Sequence, residues 1–143
     1  MTAQGLEVME SSVQLSHAWI NELAARLGWG SKRSTLRLLR VVLARIRDHL
    51  SPDELAQFSA QLPVMLRGFL FEGWMPRRTP IRERRAGQFI TFVTEMVQGS
   101  EEYRGQPDII CVFDLLNARI SRGEIAQIRA CLPQGVRALW PEP

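Results

Sequence analysis

No run of apolar residues in this chain approaches the roughly 20 needed to cross a bilayer. The N-terminal MTAQGLEVMESS has neither a basic leader nor an apolar core, so no secretory signal is expected and the reading is a cytoplasmic protein. Cysteine is scarce: Cys111 and Cys131 both fall in helical patterns, which points to buried free thiols and not to a disulfide. Two histidines, His17 and His49, and one tyrosine, Tyr103, complete a thin catalytic inventory. No HExxH, GxSxG, CxxC or phosphate-cradling glycine loop occurs. Catalysis needs convergent groups with tuned proton affinity. The expectation is therefore a non-enzyme with no catalytic residue, no metal site, no cofactor and no small-molecule substrate. Lysine is nearly absent, since seventeen of the eighteen basic residues are arginine. A G+C-rich genome produces that bias by itself, so nothing is built on it.

Sustained alternation of apolar and polar residues is missing too, which argues against strands. What is present is self-similarity. Residues 51–70 (SPDELAQFSAQLPVMLRGFL) align without a gap with 121–140 (SRGEIAQIRACLPQGVRALW). Eight of those twenty positions are identical: Ser51/Ser121, Glu54/Glu124, Ala56/Ala126, Gln57/Gln127, Ala60/Ala130, Leu62/Leu132, Pro63/Pro133 and Arg67/Arg137. A fixed offset of this kind specifies architecture before it says anything about chemistry. A chain of 143 residues is one domain's worth. Halves of about 60 residues bury marginal cores alone, so two halves around one core is the more stable arrangement.

The first helix is predicted over about 13–28, with Trp19, Ile20, Leu23 and Leu27 on one face and Gly28-Trp29-Gly30-Ser31 ending it. The second spans about 34–49 and carries the stripe Leu39, Val42, Leu43, Ile46 and Leu50. Ser51, Pro52 and Glu54 form the best start signal in the chain, a capping box with proline at the first helical position. Leu55, Phe58 and Leu62 face inward from that helix. Pro63 ends it and opens the fourth, with Leu66, Phe69 and Leu70 inward. At an offset of 70 every one of these fifteen apolar positions is again apolar, from Phe89 to Trp140. Ser121 and Glu124 rebuild the capping box. The prediction is an all-α protein of eight helices in two tandem pseudo-symmetric four-helix repeats sharing one core. The single domain covers 13–141: repeat one 13–71, a basic connector 72–87 and repeat two 88–141, with 1–12 as a loose tail.

Ala60-Gln61-Leu62-Pro63, Phe71-Glu72-Gly73-Trp74, Ile81-Arg82-Glu83-Arg84 and Ala130-Cys131-Leu132-Pro133 carry a resemblance. In that order the chain resembles the bacterial domain-of-unknown-function family 2267 over about residues 13–141. The resemblance implies a small, helical, duplicated protein. It implies no activity, substrate or catalytic residue. One departure is Glu101-Glu102-Tyr103-Arg104-Gly105, a poor helix start, so the sixth helix is expected to begin as late as Pro107.

Polar positions kept in both halves read as scaffold. Glu54 and Glu124 are read as caps, and Arg67 and Arg137 are predicted to tie the fourth helix of each half to carbonyls or carboxylates of the third. His49 is placed to meet the negative C-terminus of the second helix. Two surfaces remain as functional candidates. Glu22, Arg26, Arg40 and Arg45 of the first half correspond to Phe92, Met96, Ile110 and Leu115 of the second, which gives repeat two extra apolar surface. Phe71, Trp74, Met75 and Ile81 of the connector are expected to wrap over it; a protein partner or self-association is the alternative cover. The candidate protein-interaction residues are Phe71, Trp74, Met75, Phe92, Met96, Ile110 and Leu115. The second surface is basic. Arg33, Arg37, Arg40 and Arg47 lie roughly along one side of the second helix, and the connector adds Arg77, Arg78, Arg82, Arg84 and Arg85. Arg33, Arg37, Arg40 and those five are the candidate polyanion-binding residues. A net charge of +3 and the lack of an aromatic platform weigh against nucleic acid, which stays the alternative to a protein-interaction module.

Overall fold

Helical periodicity is realised along almost the whole chain. A computed structural model describes the backbone of residues 2–143 and the side chains of residues 5–143. Among the described residues there are eight α-helices and no strand: α1 Thr2–Leu27, α2 Lys32–Asp48, α3 Pro52–Ala60, α4 Val64–Phe71, α5 Ala86–Met96, α6 Gln106–Arg119, α7 Arg122–Cys131 and α8 Gln134–Arg137. A short 3-10 helix, Pro76–Arg78, interrupts the connector.

The predicted stripes are the buried ones. All thirty positions are buried except Phe69 and Ile90, which are half-buried. The hydrophobic cluster takes Leu23, Leu43 and Phe58 from the first half and Phe89, Phe113 and Trp140 from the second. α1 packs on α2, α4 and α6; α2 also meets α4, α5 and α6; α3 meets α7; α5 meets α8.

The loose tail expected over 1–12 is a correction. From Thr2 onward those residues are the first turns of α1, while Met1 lies outside the described residues. Ala3, Gln4, Leu6, Glu7, Met9 and Glu10 are strong helix formers. Extending a helix already nucleated by the packed segment costs little. No burial pattern marks these turns, because from Gly5 to Leu15 every side chain is exposed except the half-buried Ser12.

Gly28 has φ +72°, the left-handed turn that ends α1. Ser31 then caps α2 by accepting from the Ser34 amide at 3.1 Å. The capping box at α3 is complete: the Ser51 amide donates to Glu54 at 2.8 Å, and the Glu54 amide to the Ser51 hydroxyl at 3.3 Å. Its repeat at α7 is only half built. The Ser121 hydroxyl accepts from the Glu124 amide at 3.3 Å, but the Ser121 amide donates to Gln61 at 3.4 Å. The Glu124 carboxylate is displaced, and its Oε2 is buried without a partner.

The poor helix start in the second half has a use of its own. The Glu102 carboxylate accepts from the Gly30 amide at 2.9 Å and the Ser31 amide at 3.2 Å, where the positive end of α2 favours an anion. Arg104 donates to the Leu27 carbonyl at 2.8 Å. A loop of the second half thus clamps the α1–α2 turn of the first, and α6 starts at Gln106, close to the predicted Pro107.

Arg67 donates to the carbonyls of Ser59 at 2.9 Å and Leu62 at 3.1 Å. Arg137 donates to those of Ala130 at 3.5 Å and Leu132 at 2.9 Å. These are the ties predicted between the third and fourth helices of each half. Arg67→Ala is expected to lower the melting temperature by about 5 °C, since two partly buried carbonyls lose a charged donor. A thermal melt within 1 °C of wild type would refute the tie.

Candidate functional site

The sequence-derived arginines on α2 do not form one solvated stripe. Arg33, Arg37 and Arg40 lie at i, i+4 and i+7 and turn to one face, together with Leu36, Val41 and Ala44. Arg47 turns inward instead. Its guanidinium is buried and donates to the carbonyls of Leu70 and Glu72, both at 2.8 Å. The reason is local: the last carbonyls of α4 need donors, and Arg47 is within reach at the end of α2.

The face carrying Arg33, Arg37 and Arg40 meets Phe69 and Glu72 at the end of α4 and Phe92 and Met96 on α5. Together they enclose a groove of about 500 Å³. Its floor is apolar and its rim cationic. The Arg40 guanidinium lies 4.5 Å over the Phe69 ring and pairs with Glu72. Arg45 lies 3.9 Å over Phe92. Both are cation–π contacts that hold the arginine stems against the floor. Arg33 and Arg37 make no ion pair among the described residues. Met96 is 48% exposed.

Phe92 also borders a neighbouring depression of about 680 Å³ that takes in Arg82, Glu83, Gln88, Thr91 and Glu95. Glu83 is buried beneath it. Its Oε2 accepts from Arg45 at 2.7 and 3.1 Å, and its Oε1 lies 3.0 Å from His49 Nε2. The Ile81 amide donates to the Asp48 carbonyl at 2.8 Å. The connector is thereby fastened to the C-terminal turn of α2. Burial pulls the Glu83 carboxyl upward, but the hydrogen bonds from His49 and Arg45 outweigh it and hold the group below its ordinary value. Sequence reasoning missed this triad. The available signal was an acid between Arg82 and Arg84, two residues after the apolar Ile81.

The apolar candidates scatter. Leu115 is fully buried in the core and belongs to no surface. Ile110 is half-buried on α6. Phe71 and Trp74 stack edge-on at 5.5 Å and pack against the core, while Met75 is half exposed. The connector does not supply the expected cover for Phe92. Arg45 of α2 does so, because the carbonyls at the end of α2 and the His49–Glu83 contact draw the connector there. Of the remaining candidate arginines, Arg82 lines the second depression, and Arg77, Arg78, Arg84 and Arg85 are exposed on the connector.

His17 is exposed on α1, and the Tyr103 hydroxyl pairs with Thr94 at 2.8 Å. No cluster of three or more histidine, cysteine, aspartate or glutamate side chains suited to a metal ion occurs among the described residues. Both cysteines are free and half-buried, less enclosed than expected. Cys131 donates to Glu54 at 2.8 Å across the α3–α7 contact. Burial and the facing Glu54 push its thiol up to about 12, which leaves it un-ionised and unreactive at neutral pH.

The fold and this groove define an all-helical protein with an arginine-rimmed apolar cleft, and among the described residues no helix is long and apolar enough to cross a membrane. The chain belongs to the family described as "Uncharacterized conserved protein (DUF2267)", whose model matches residues 16–139. No curated protein matches it.

Proposed function

We propose that the protein is a non-catalytic, cytoplasmic protein-interaction module whose binding site is the groove between α2, α4 and α5. One observation carries this reading. The groove unites residues that belonged to two separate candidate sets: Arg33, Arg37 and Arg40 from the basic one, Phe92 and Met96 from the apolar one. An apolar floor that exposes Met96 gains from a ligand that excludes water. Arginines without partners gain from one that brings carboxylates. An amphipathic segment with an apolar stripe and acidic flanks has both. Nucleic acid satisfies the rim alone, and its backbone binding has no use for Met96.

The scaffold is read as a duplicated unit, its halves facing across a local pseudo-twofold around a shared core. Reciprocal contacts support this. α1 packs on α6 and its counterpart α5 on α2. Glu54 meets Cys131, and Ser121 meets Gln61, the position matching Cys131. In this arrangement the groove lies where α5 of one copy meets α2 of the other.

The test is a photo-crosslinking amino acid at position 96, with one at the exposed Val64 as control. A protein adduct at 96 and not at 64, lost on Arg33→Glu/Arg37→Glu, is the expected result. Adducts to nucleic acid alone would establish the polyanion alternative, and absence of any specific adduct would end the groove reading.

A further inference from the structure

The structure leaves one helical segment without a packing partner. Residues 5–15 of α1 run beyond the part of the helix that enters the core, where Ser16, Trp19 and Ile20 are the first buried positions. Leu6, Met9 and Val13 follow one another at i, i+3 and i+7 and are 57%, 65% and 37% exposed. Such spacing makes a single apolar stripe. Glu10 borders it, whereas Glu7 lies with Val8 and Ser11 on the other side of the helix. No lysine or arginine precedes Arg26, so the arm is purely acidic.

We propose that this arm is the ligand of the groove, docked from a second copy of the chain, so that two molecules exchange arms in a closed dimer. The inference rests on the groove being a protein-binding site and names its partner. Four observations carry it. The arm's stripe is apolar and exposed, and the floor offers the half-buried Phe69 and Phe92 and the exposed Met96. The charges are opposite: Glu10, beside the stripe, makes no ion pair among the described residues, and neither do Arg33 and Arg37. The arm cannot serve its own groove. α1 is one unbroken helix of 26 residues, about 39 Å of stiff rod, and its C-terminal part is locked in the core. Glu22 pins that part to Arg119 at 2.8 Å. Finally, arm-to-arm pairing through the stripe would crowd the Glu10 carboxylates of the two copies, which repel. Reciprocal exchange satisfies both arms and both grooves and closes at two molecules.

The experiment is light scattering and sedimentation equilibrium on the full chain. The wild type is expected at twice the 16.3 kDa chain mass. Leu6→Glu/Met9→Glu in the arm and Met96→Glu in the groove should each weaken the dimer ~100-fold, as loss of central anchors does. All three positions are exposed, and circular dichroism verifies that the variants remain folded. Glu10→Arg should also weaken it, and adding Arg33→Glu/Arg37→Glu should restore it. Val8→Ser, on the opposite face of the arm, should change nothing. A wild type that stays monomeric to about 100 µM overturns the proposal. A dimer broken by the arm variants but indifferent to Met96→Glu and to the charge swap also overturns it, in favour of arm-to-arm pairing. In either case a specific adduct from position 96 to a different protein would keep the groove as a binding site and remove only the second copy as its partner.

Discussion

Glu83→Ala is expected to lower the melting temperature by about 10 °C, from a loss of about 3 kcal/mol. The carboxylate sits under the connector with its side chain 5% exposed, and it is bonded to both Arg45 and His49. Removing it leaves a largely buried guanidinium and a buried imidazole facing each other without an anion. A buried pair that has lost one member costs more than the intact pair ever contributed. Arg45 would be held by its stacking on Phe92 alone. The connector would keep the Ile81–Asp48 bond but lose its side-chain anchor. Trypsin should then cut at Arg77, Arg78, Arg82, Arg84 or Arg85 while the helices remain folded. Glu83→Gln keeps the shape and one acceptor and should cost about half as much. A Glu83→Ala protein that melts within 2 °C of wild type and resists trypsin would show that the triad does not hold the connector.

The same group sets a direction for acid unfolding. Its folded-state pKa is depressed below the ordinary 4.5. The unfolded chain therefore binds a proton first as pH falls, and the stabilisation is complete above the unfolded value and disappears as pH drops through the folded one. Glu54 acts in the same sense, held low by the Cys131 thiol and the Ser51 amide. Glu22 does too: burial opposes, but Arg26 and Arg119 prevail. Glu124 opposes them. Burial raises its carboxyl, so its share favours folding at low pH and fades as pH rises through the folded value. With three depressed groups against one raised, stability should fall as pH is taken below about 4.5, less steeply in Glu83→Gln.

The helices were legible because burial and periodicity agree. Leu23, Leu43, Leu55, Ile109 and Ile125 each sit on a 3.6-residue stripe, and each is fully buried. The N-terminal turns were not legible, because an arm with no partner in its own molecule has no buried face to announce it. The α7 capping box was over-read because Ser121 and Glu124 repeat Ser51 and Glu54 while their surroundings differ. Gln61 reaches Ser121, whereas its counterpart Cys131 reaches Glu54. Local motifs do not record which side chain arrives from the other half. The groove was half legible. Its two components could be picked out by charge and by comparison of the repeats. Their convergence needed the crossing of α2 and α5, which depends on contacts some 50 residues apart in sequence. Gly135 makes the same point. It stands where the first half has the exposed Met65, and a Cβ there would lie 2.5 Å from the Arg84 carbonyl. The connector passes that spot in the second half, and the sequence has no local sign of it.

Trp140→Ala is expected to cost about 4 kcal/mol, enough to unfold the protein more than 10 °C early. The indole is 1% exposed and stacks on Phe113, centroids 4.6 Å apart and planes within 8°. Phe113 in turn tilts against Phe89 at 5.9 Å. Losing the ring opens a cavity in the aromatic row that runs through the second half. It also strips the Asn117 carbonyl of its donor, the indole Nε1 at 2.8 Å. Asn117 itself donates to the Pro141 carbonyl at 2.9 Å, so the C-terminal segment loosens with it. The informative variant is Trp140→Leu, because Leu70 occupies the matching position in the first half and is fully buried there. Were the two halves interchangeable units, leucine would fit. The Phe113 ring and the Asn117 amide have no counterpart of that kind, since Leu43 and Arg47 stand in their places. Trp140→Leu should therefore cost about 2 kcal/mol, with the missing indole donor as its polar part. In a double-mutant cycle with Phe113→Leu, a coupling of about 1 kcal/mol is expected for the stacked pair. Zero coupling, or a leucine variant as stable as wild type, would mean that the aromatic row is packing any apolar side chain could replace.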